Sequence, residues 1–465
     1  MQTWHDRYAD YTRIFLFSEY FIYKMTSKKN IVVFVEMAPR QAIKTIRANI
    51  EGCKVLLLRD IKNRASDAGK TLGVDILLHV DFTVPHKIAE ALLPYQDELL
   101  LITARGESGA SRLGKVVPHV PYLRTPTPES LRWATDKYEM RKKLKLRNSK
   151  ITPAFTLIRG ASKKERERII SKVGFPMVVK PTSLEESKLV TICYHEEELE
   201  KALKNVLRKL KTEYKKLNRL QEPTAMAEAF MDGEMYSIDS YADSRGKVWH
   251  CPLVKVKTGK EIGHDDFYNY LQMTPTVLKP GTVEKAQSVT EDAIHALGLR
   301  SVTTHIELMK MDDEWKVIEV GPRIGGFRPL LYELSCGIDH SLNDVFIRKP
   351  KRPVIPKKCQ GFACAMKWFA ETEGKITEMK GVKKIEELDS FNSIIVNKKI
   401  GDRAVFARNG GRSVFNLFMY NEDRSRLLAD IRRVEQFVDI KVANRSNGAS
   451  TKKVVKPRKT GSKKA

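Results

Sequence analysis

The chain has 465 residues, of which 42% are hydrophobic and 30% charged, a composition typical of globular domains and not of disordered chains. Its six cysteines are scattered and contain no C-x-x-C pair. This argues against a disulfide framework or a structural zinc site and favours a reducing, cytoplasmic environment.

The formal net charge of +26 draws attention to the C-terminal segment. Residues 441–465 contain nine Lys and Arg residues and no acidic residue. Because these alternate with Gly, Ser, Pro and Thr, the segment is predicted to be a disordered basic tail. Such a tail could bind nucleic acid weakly or only increase solubility. No recognised nucleic-acid-reading module accompanies it in the sequence, so nucleic acid is not a required partner.

The first 27 residues are predicted to be an N-terminal extension, with Met25 as an alternative start. Residues 14–23 are apolar and aromatic, but this run is too short to span a bilayer and is interrupted by Glu19. It also lacks the small-residue cleavage site of a signal peptide. No other stretch is apolar enough, so no membrane span is expected.

Four short apolar runs, at 31–35, 55–58, 76–80 and 99–102, alternate with helical patterns. This alternation predicts parallel strands in a small doubly wound α/β domain at residues 28–120. No G-x-G-x-x-G follows the first run, so a dinucleotide site is not predicted there.

Two proline-rich segments, 117–128 and 349–356, indicate boundaries. Between them, residues 121–350 form a second predicted unit of mixed strands and helices, including a basic helix at 129–146. Residues 357–440 form a third, an α+β unit that ends in a helix at 424–437.

Residues 303–323 read as a β-hairpin. If its loop has three residues, at 312–314, Glu307 lies opposite Glu319 and Leu308 lies opposite Ile318. Apolar side chains then share one face of the hairpin and the two carboxylates share the other.

Carboxylates paired in this way lie roughly 4.5–5.5 Å apart and repel each other. A shared proton, a nearby cation or a bound metal would offset this repulsion, and magnesium favours one or two carboxylates together with phosphate oxygens. Arg323 and Arg328, just beyond the hairpin, could neutralise a phosphoryl group. The alternative is an ordinary hairpin with a solvated polar face.

Four segments resemble motifs of the ATP-grasp enzymes, most closely those of the L-amino-acid (dipeptide) ligases, and they occur in that family's order. They are Asp-Lys-Tyr-Glu-Met-Arg at 136–141, Phe-Pro-Met-Val-Val-Lys-Pro at 175–181, the segment 227–239, and Ile-Glu-Val-Gly-Pro-Arg-Ile-Gly-Gly at 318–326. The resemblance covers about residues 30–440. It implies an N-terminal Rossmann-like pre-ATP-grasp domain, a two-lobed ATP-grasp core and a small C-terminal α+β domain.

The resemblance also implies roles for individual residues. Those assigned to ATP are Lys137 and Lys180 on the phosphates, Glu228 with the backbone at Phe230 and Met231 on the adenine, and Glu234 on the ribose. Those assigned to the metal and the chemistry are Glu307 and Glu319 as ligands of Mg²⁺, with Mn²⁺ as an alternative, and Arg323 and Arg328 as catalytic residues. Arg328 would grip a carboxylate through two hydrogen bonds. His264 is assigned to the substrate or its loop, with an ordinary surface histidine as the alternative.

The resemblance implies an ATP-dependent ligase that activates a small carboxylate as an acyl phosphate and joins it to an amine, and it suggests a homodimer. Two departures weaken this prediction: Gly321 replaces the family's asparagine, and Leu189 replaces a glycine in the phosphate loop. These departures make a nucleotide-binding protein without turnover one alternative. The basic tail suggests a second, a nucleic-acid-associated protein, and the fold of the family allows a third, a biotin-dependent carboxylase. Nothing in the sequence suggests a biotin-carrying domain.

Overall fold

The computed structural model describes residues 28–66, 73–185, 188–264, 266–349 and 351–443. The apolar run at 14–23 and most of the predicted basic tail lie outside these ranges.

The N-terminal unit is a four-stranded parallel sheet in the order β3-β2-β1-β4. Its elements are β1 (Ile31–Val35), α1 (Arg40–Asn49), β2 (Lys54–Asp60), β3 (Ile76–Val80), α2 (Pro85–Leu92), β4 (Leu99–Ala104) and α3 (Gly106–Val116). β1 is buried on both faces, since its alternate residues pack against α1 on one side and against α2 and α3 on the other. The predicted doubly wound α/β fold is confirmed.

The predicted basic helix at 129–146 is in fact two helices, α4 (Pro128–Thr135) and α5 (Lys137–Arg147). Asp136 separates them and caps α5, accepting hydrogen bonds from the backbone N–H groups of Tyr138 and Glu139 at 2.9 and 3.0 Å. A carboxylate at this position satisfies amides that have no partner within the helix. The cap therefore fixes Lys137 in the first turn of α5.

A small antiparallel sheet follows, in the order β5-β8-β6-β7. Its elements are β5 (Phe155–Leu157), α6 (Lys163–Val173), β6 (Met177–Pro181), β7 (Thr191–Cys193), α7 (Glu196–Lys216) and β8 (Ala225–Ala229). The apolar stripe of α7, including Leu199, Leu203 and Leu210, packs against β6 and β8.

A nine-stranded sheet carries the rest of the core, in the order β14-β13-β9-β11-β12-β15-β19-β17 with β10 paired to β9. The elements of this region are, in chain order, β9 (Glu234–Ala242), β10 (Val248–His250), β11 (Val254–Thr258), β12 (Asn269–Thr274), α8 (Pro280–Ala296), β13 (Val302–Met311), β14 (Glu314–Gly321), α9 (Arg328–Cys336) and α10 (His340–Phe346). They are followed by β15 (Phe362–Trp368), β16 (Gly374–Lys380), β17 (Phe391–Val396), β18 (Arg403–Ala404), β19 (Phe415–Asn421), α11 (Arg424–Phe437) and β20 (Asp439–Ala443). Of these later strands, β15, β17 and β19 belong to the nine-stranded sheet. Strands β15, β19 and β17 thus extend the same sheet past the predicted boundary at 350–357.

Strands β18, β16 and β20 form a separate three-stranded sheet. β20 runs to Ala443 and pairs with β16, so residues 441–443 are not part of a disordered tail as predicted. Short 3₁₀ helices in the described chain lie at Ile61–Ser66, Leu93–Tyr95, Val117–His119, Ser149–Ile151, Lys260–Ile262, Val382–Glu387 and Ala407–Asn409.

The hairpin formed by β13 and β14 keeps the predicted pairing of Glu307 with Glu319, but by a different route. Its turn has two residues, Asp312 and Asp313, because Met311 pairs with Glu314. A β-bulge after Glu307 then shifts the register by one residue, so Leu308 pairs with Val317 and not with Ile318 as predicted. The turn is one residue shorter than predicted, and the bulge adds one residue to β14. The two changes cancel, so Glu307 still lies opposite Glu319.

One prediction from the cysteines is wrong. Cys336 and Cys359 form a disulfide. The spacing of 23 residues gave no sign of it, but Gln360 and Gly361 donate backbone hydrogen bonds to Ser335 at 2.7 and 3.2 Å and bring the two segments together. Cys193, Cys251 and Cys364 are free and buried, as expected. Within the described ranges, no helix has both the length and the apolar character needed to cross a membrane. The cytoplasmic location stays a prediction.

Candidate functional site

The two carboxylates of the hairpin lie on the face that looks away from α8. Ile306, Val317 and Val320 belong to the core formed with α8, and side chains alternate along a strand. Glu307 and Glu319 therefore project to the opposite side, where their side chains are 21% and 29% exposed. Glu319 lines a cavity together with Lys137 and residues 183–185, which follow β6 of the small sheet.

Lys137 connects three elements at this site. Its Nζ lies 2.8 Å from Oε1 of Glu319 on β14, and it donates a 2.8 Å hydrogen bond to the carbonyl oxygen of Leu184. Burial lowers the pKa of Lys137, but the charge of Glu319, its hydrogen bond to Lys137 and the charge of Glu107 together outweigh burial, so the net shift of the pKa is upward. Lys137 therefore stays a full cation in the pocket.

Lys180 and Glu228 form a second pair, buried between the small sheet and the hairpin. Nζ of Lys180 donates to Oε1 of Glu228 at 2.5 Å, and Nε of Arg141 donates to Oε2 of Glu228 at 2.9 Å. Burial opposes ionisation of Glu228, but the charges of Arg141 and Lys180 outweigh it and lower its pKa to about 2. Burial also lowers the pKa of Lys180, with Glu228 opposing the shift.

Arg141 also explains the β-bulge. Its Nη1 donates to the carbonyl of Val317 at 2.5 Å and its Nη2 donates to that of Ile318 at 2.9 Å. A regular antiparallel strand points successive carbonyls in opposite directions, whereas a bulge disrupts this ladder. The bulge thus lets one guanidinium bind two neighbouring carbonyls, which ties α5 to the strand carrying Glu319.

The residues predicted to bind the nucleoside lie along the connection from β8 to β9. Both oxygens of Glu228 are engaged by Lys180 and Arg141, so an adenine contact from this side chain would require one of these bonds to be exchanged. The backbone N–H of Phe230 donates to the carbonyl of Pro176 at 3.0 Å, and Met231 is buried.

The ammonium of Lys260 lies 5.3 Å from the ring centre of Phe230, in the connection from β8 to β9. Glu234 pairs with Lys255 and accepts a 3.2 Å hydrogen bond from Tyr236. Glu234 pairs with Lys310 on β13, and Lys310 lies three residues along that strand from Glu307, about 10 Å away. Because side chains alternate along a strand, this odd offset places Glu234 on the opposite face of the sheet from Glu307.

Arg323, just after β14, forms an ion pair with Glu107 at the start of α3, and Glu107 lines the same cavity as Lys137. Burial lowers the pKa of Arg323, but Glu107 and then Glu319 raise it further than burial lowers it. Burial likewise raises the pKa of Glu107, but Arg323 and Lys137 hold it below its usual range. The N-terminal α/β unit thus contributes one charged residue, Glu107 of α3, to the lining of the cavity.

Arg328 does not lie open in the cavity. It is 1% exposed, and its Nη1 and Nη2 donate to Gln272 Oε1 and to Ser237 Oγ, each at 2.6 Å. Both terminal nitrogens of Arg328 are therefore already bonded to side chains of this protein. Gripping a substrate carboxylate would require these two bonds to be released, so this role stays a prediction.

Asp239 is a buried residue of β9 that makes several hydrogen bonds next to β13, the strand that carries Glu307. Its Oδ1 lies 2.7 Å from Nδ1 of His305, while its Oδ2 accepts from the backbone N–H of Gly325 and from Nε2 of His340, both at 2.8 Å. Nε2 of His305 lies 3.8 Å from Oε1 of Glu307. Asp239 thus binds the loop at Gly325 and also His305, whose ring lies beside the predicted metal ligand Glu307.

His264 lies partly buried in the loop before β12, where its Nδ1 is 2.8 Å from the hydroxyl of Tyr268. The phosphate loop after β6 is described except for residues 186–187, so Ser187 lies outside the described residues. The hydroxyl of Thr182 is 2.8 Å from that of Thr224, and the carboxylate of Glu185 is paired with Arg219.

Sequence reasoning missed several residues of this constellation. Arg141 was visible only as the last residue of a motif, and Asp239 only as the end of another. Glu107 had no sequence signal, because nothing marks which residue of a distant helix will reach a hairpin more than 200 positions later.

The donor set fits magnesium or manganese bound together with a nucleotide. In the part of the chain that the structure describes, no three His, Cys, Asp or Glu side chains are placed to hold a metal ion on their own. The two opposed carboxylates instead offer an incomplete set of oxygen ligands, with Lys137 and Arg323 beside them. A cation that takes its remaining ligands from phosphate oxygens and water matches this arrangement.

Comparison with known proteins identifies the family of the region that carries these residues. Residues 173–329 match the family described as ATP-grasp domain. The chain contains an ATP-grasp domain. This region includes three of the four predicted motifs, and the segment 136–141 precedes it.

Several solved structures have the same fold as this chain over most of its length. The L-amino acid ligase from Bacillus licheniformis has a TM-score of 0.71 at 17% identity, covering 90% of this chain and 100% of that one. The N5-carboxyaminoimidazole ribonucleotide synthetase from Thermotoga maritima has a TM-score of 0.64 at 16% identity, covering 89% and 100%. A biotin carboxylase from Campylobacter jejuni has a TM-score of 0.60 at 15% identity, covering 89% and 93%. The predicted fold class is confirmed.

In sequence, the chain is 24% identical over 311 residues to the uncharacterized protein y4rH of Sinorhizobium fredii. The match covers 66% of this chain and 61% of that protein, so the chain spans less than two thirds of the length of this relative.

Proposed function

We propose that the protein is an ATP-dependent carboxylate–amine ligase. In the proposed reaction, a carboxylate oxygen of the substrate attacks the γ-phosphorus of ATP, which forms an acyl phosphate and releases ADP. An amine nitrogen then attacks the acyl carbon, phosphate leaves, and the nitrogen loses a proton. The products are an amide, ADP and phosphate.

The observation that carries this proposal is a group of three cations at or near the hairpin, of which Lys137 pairs with Glu319 of the hairpin, Lys180 with Glu228 of β8 and Arg323 with Glu107 of α3. Lys137 on α5, Lys180 on β6 and Arg323 after β14 come from separate elements, and each is paired with a carboxylate. Preorganised positive charge of this kind stabilises the charge that develops during phosphoryl transfer. Such an arrangement is more than an ordinary solvated hairpin face requires.

In this proposal Lys137 and Lys180 bind phosphate oxygens, and Arg323 offsets charge on the transferred phosphoryl group. Glu307 and Glu319 would hold magnesium, or manganese in its place, which supplies further neutralisation of the phosphates. Support comes from structures of the same fold, such as a biotin carboxylase domain dimer of Hydrogenobacter thermophilus in complex with MgADP and bicarbonate. The backbone at Phe230 and Met231 would bind adenine and Glu234 the ribose.

The substrate contacts are proposed with less support from the geometry. Arg328 and His264 are kept as the substrate residues, and a homodimer is the proposed assembly. Small-molecule carboxylates and amines are the proposed partners.

The test is a screen of amino acids and small carboxylates, with ATP and Mg²⁺, for substrate-dependent release of ADP. Glu319→Gln should abolish this release while the thermal unfolding temperature stays within a few degrees of the wild type. Glu314→Gln is the matched control, since Glu314 lies on the same strand but is 67% exposed. If Glu319→Gln releases as much ADP as the wild type, the catalytic assignment of this site is wrong.

A second candidate is a protein that binds the nucleotide without turnover, and Gly321 favours it. Gly321 lies two residues beyond Glu319 on the same strand face and offers no side-chain oxygen to a metal. Calorimetry would then show Mg-ATP binding while no substrate in the screen released ADP.

Nucleic-acid binding through the basic tail is tested by removing residues 444–465, which keeps strand β20 whole. A ligase should retain its substrate-dependent ADP release after this truncation. Loss of that activity together with loss of a salt-dependent affinity for RNA or DNA would favour the nucleic-acid alternative instead.

A further inference from the structure

Arg219 lies just beyond the C-terminus of α7, in the segment that leads into β8. The helix ends with Asn218 in the left-handed conformation, at a φ angle of 48°. The backbone N–H of Asn218 donates to the carbonyl of Lys215 at 3.1 Å, and that of Arg219 donates to the carbonyl of Tyr214 at 3.0 Å. These two bonds satisfy carbonyls of the last turn, as a left-handed residue at a helix end commonly allows. They fix the direction in which the chain leaves α7 at Arg219.

The end of α7 is also anchored to the N-terminal α/β unit. The side-chain amide of Asn218 donates to Oδ2 of Asp60, at the end of β2, at 2.9 Å. Nη2 of Arg112 on α3 donates to the carbonyl of Asn218 at 3.0 Å and to Oδ2 of Asp60 at 2.9 Å. Arg112 and Asp60 are both buried. Two parts of the chain, α7 and the N-terminal unit, therefore hold the backbone at Arg219.

The side chain of Arg219 lines the cavity that Lys137 and Glu319 also line. It is only 4% exposed, and its Nη2 is paired with Oε1 of Glu185. Its Nε is buried and, among the described residues, has no hydrogen-bond partner. A buried N–H without an acceptor is costly, and a guanidinium carries five such donors. Arg219 thus has a donor left over for a ligand with several acceptor atoms.

Glu185, the partner of Arg219, belongs to the loop after β6 and lines the same cavity. The backbone of this loop is held one residue earlier, where the carbonyl of Leu184 accepts the hydrogen bond from Lys137. Carboxylates and phosphoryl groups are both anionic acceptors, and the planar fork of an arginine binds either of them. Glu185 therefore occupies on Arg219 a position that a phosphoryl oxygen could take.

Nucleotide binding would change the partners in this part of the cavity. Phosphates on Lys137 would bring negative charge beside Glu185, and like charges repel strongly where little water screens them. This repulsion is removed when Glu185 leaves Arg219 and a phosphate oxygen takes its place. Nε of Arg219 would then gain an acceptor as well.

We propose that Arg219 is a further phosphate-binding residue of the nucleotide site, and that Glu185 occupies its guanidinium until the nucleotide binds. This inference rests on the proposed nucleotide site. It adds a cation from the connection between α7 and β8 to the cations of that site. It also makes Glu185 a competitor of the triphosphate within the same chain.

The test is the affinity for a non-hydrolysable ATP analogue, measured by isothermal titration calorimetry. Arg219→Gln should weaken binding about tenfold to a hundredfold, the effect expected when a hydrogen bond to a charged group is lost. Arg166→Gln is the matched control, because Arg166 on α6 is also largely buried and paired with a glutamate, Glu196. It should bind the analogue like the wild type.

Adenosine separates phosphate binding from a structural role of Arg219. Because adenosine carries no phosphate, Arg219→Gln should bind it with the same affinity as the wild type in an NMR titration, which measures weak binding. Thermal unfolding shows whether the variant is folded. Equal losses of affinity for adenosine and for the ATP analogue would mean that Arg219 only keeps the pocket in shape, and would overturn the inference.

Glu185→Gln tests the competing carboxylate. It should raise the affinity for the ATP analogue about twofold to fivefold, the range expected for a partly exposed ion pair that no longer has to break. In the Arg219→Gln background this gain should disappear, because Glu185 can then turn to water without breaking a pair. Glu222→Gln, at an exposed position three residues from Arg219, is the control for the loss of a negative charge. A gain of the same size with and without Arg219 would contradict the competition.

The results separate this inference from the proposed function. If Lys137→Ala weakens binding of the analogue while Arg219→Gln binds it like the wild type, Arg219 is not a phosphate ligand and the proposed nucleotide site stands. If the wild type itself binds no adenine nucleotide, the proposed function is wrong and the inference falls with it.

Discussion

Lys137 and Glu319 form an ion pair of 2.8 Å that joins the first turn of α5 to the last strand of the hairpin. The pair brings together a predicted phosphate ligand and a predicted metal ligand before either has bound its partner. Binding of Mg-ATP would exchange this one contact for two, with phosphate on Lys137 and metal on Glu319.

Replacing Lys137 should therefore weaken nucleotide binding. Lys137→Ala is expected to reduce the affinity for an ATP analogue roughly tenfold to a hundredfold, since a hydrogen bond to a charged group contributes about 1.5–3 kcal/mol. Isothermal titration calorimetry provides the measurement. Lys145→Ala is the control, because Lys145 is an exposed lysine on the same helix. Equal affinities of the two variants would contradict the assignment of Lys137.

Replacing Arg141 should destabilise the fold, since its loss leaves Glu228 with one cation and two carbonyls of the bulge without a donor. Breaking a buried ion pair from one side costs about 3–5 kcal/mol. Arg141→Met is expected to lower the free energy of unfolding in urea by about this amount. Arg147→Met, which removes a partly exposed pair with Asp292 from the same helix, should cost about 1 kcal/mol or less. Similar losses in both variants would refute the role given to Arg141.

Glu228 should make stability fall at low pH. Its folded pKa of about 2 lies below the unfolded value near 4.5, so its contribution is fully present above the unfolded pKa and declines as the pH falls toward 2. Between about pH 6 and about pH 3, this group alone should account for a loss of about 2 kcal/mol in the free energy of unfolding.

Urea unfolding of the wild type and of Glu228→Gln at both pH values isolates this contribution. The variant is expected to be less stable near pH 6, but it should lose less stability than the wild type on acidification. A variant that loses as much as the wild type would show that another carboxyl group carries the pH dependence.

Gly325 and Gly326 provide a matched pair for the loop after the hairpin. A Cβ on Gly325 would lie 2.5 Å from Nδ1 of His305 and 3.0 Å from Oδ1 of Asp239, while one on Gly326 would meet nothing within 4 Å. Gly325→Ala should therefore cost about 1–3 kcal/mol in urea unfolding, as overpacking does. Gly326→Ala should stay within about 0.5 kcal/mol of the wild type. Equal effects would mean that the loop can move away from Asp239.

The periodicity of the apolar residues and the order of the predicted elements were sufficient to predict most of the fold. The continuous apolar run at 31–35 predicted a strand buried on both faces, and β1 is one, because a parallel strand covered by helices on both faces has no polar side. The break between α4 and α5 was missed because both segments are helical in pattern and adjoin each other in the sequence. The signal was present in Asp136, whose side chain competes for backbone amides and favours a helix start over a helix interior.

The pairing of Glu307 with Glu319 was predicted correctly for an incorrect reason. A three-residue turn and a regular ladder give the same opposition as a two-residue turn followed by a bulge. Hydrophobic alternation could not separate the two, because Val317 and Ile318 are both apolar. The carbonyls at the bulge bind Arg141, which reaches them from α5, and no local pattern records this contact.

The sequence by itself determined the classes of its elements and the order of the ATP-grasp motifs, since both depend on local spacing. It also determined which residue types could serve a phosphate and a metal. Only the tertiary structure decided that Glu228 bridges Lys180 and Arg141, that Cys336 meets Cys359, and that Glu107 fills the space left by Gly321. Each of these joins elements far apart in the chain, and their meeting depends on how whole sheets and helices pack, which no local pattern records.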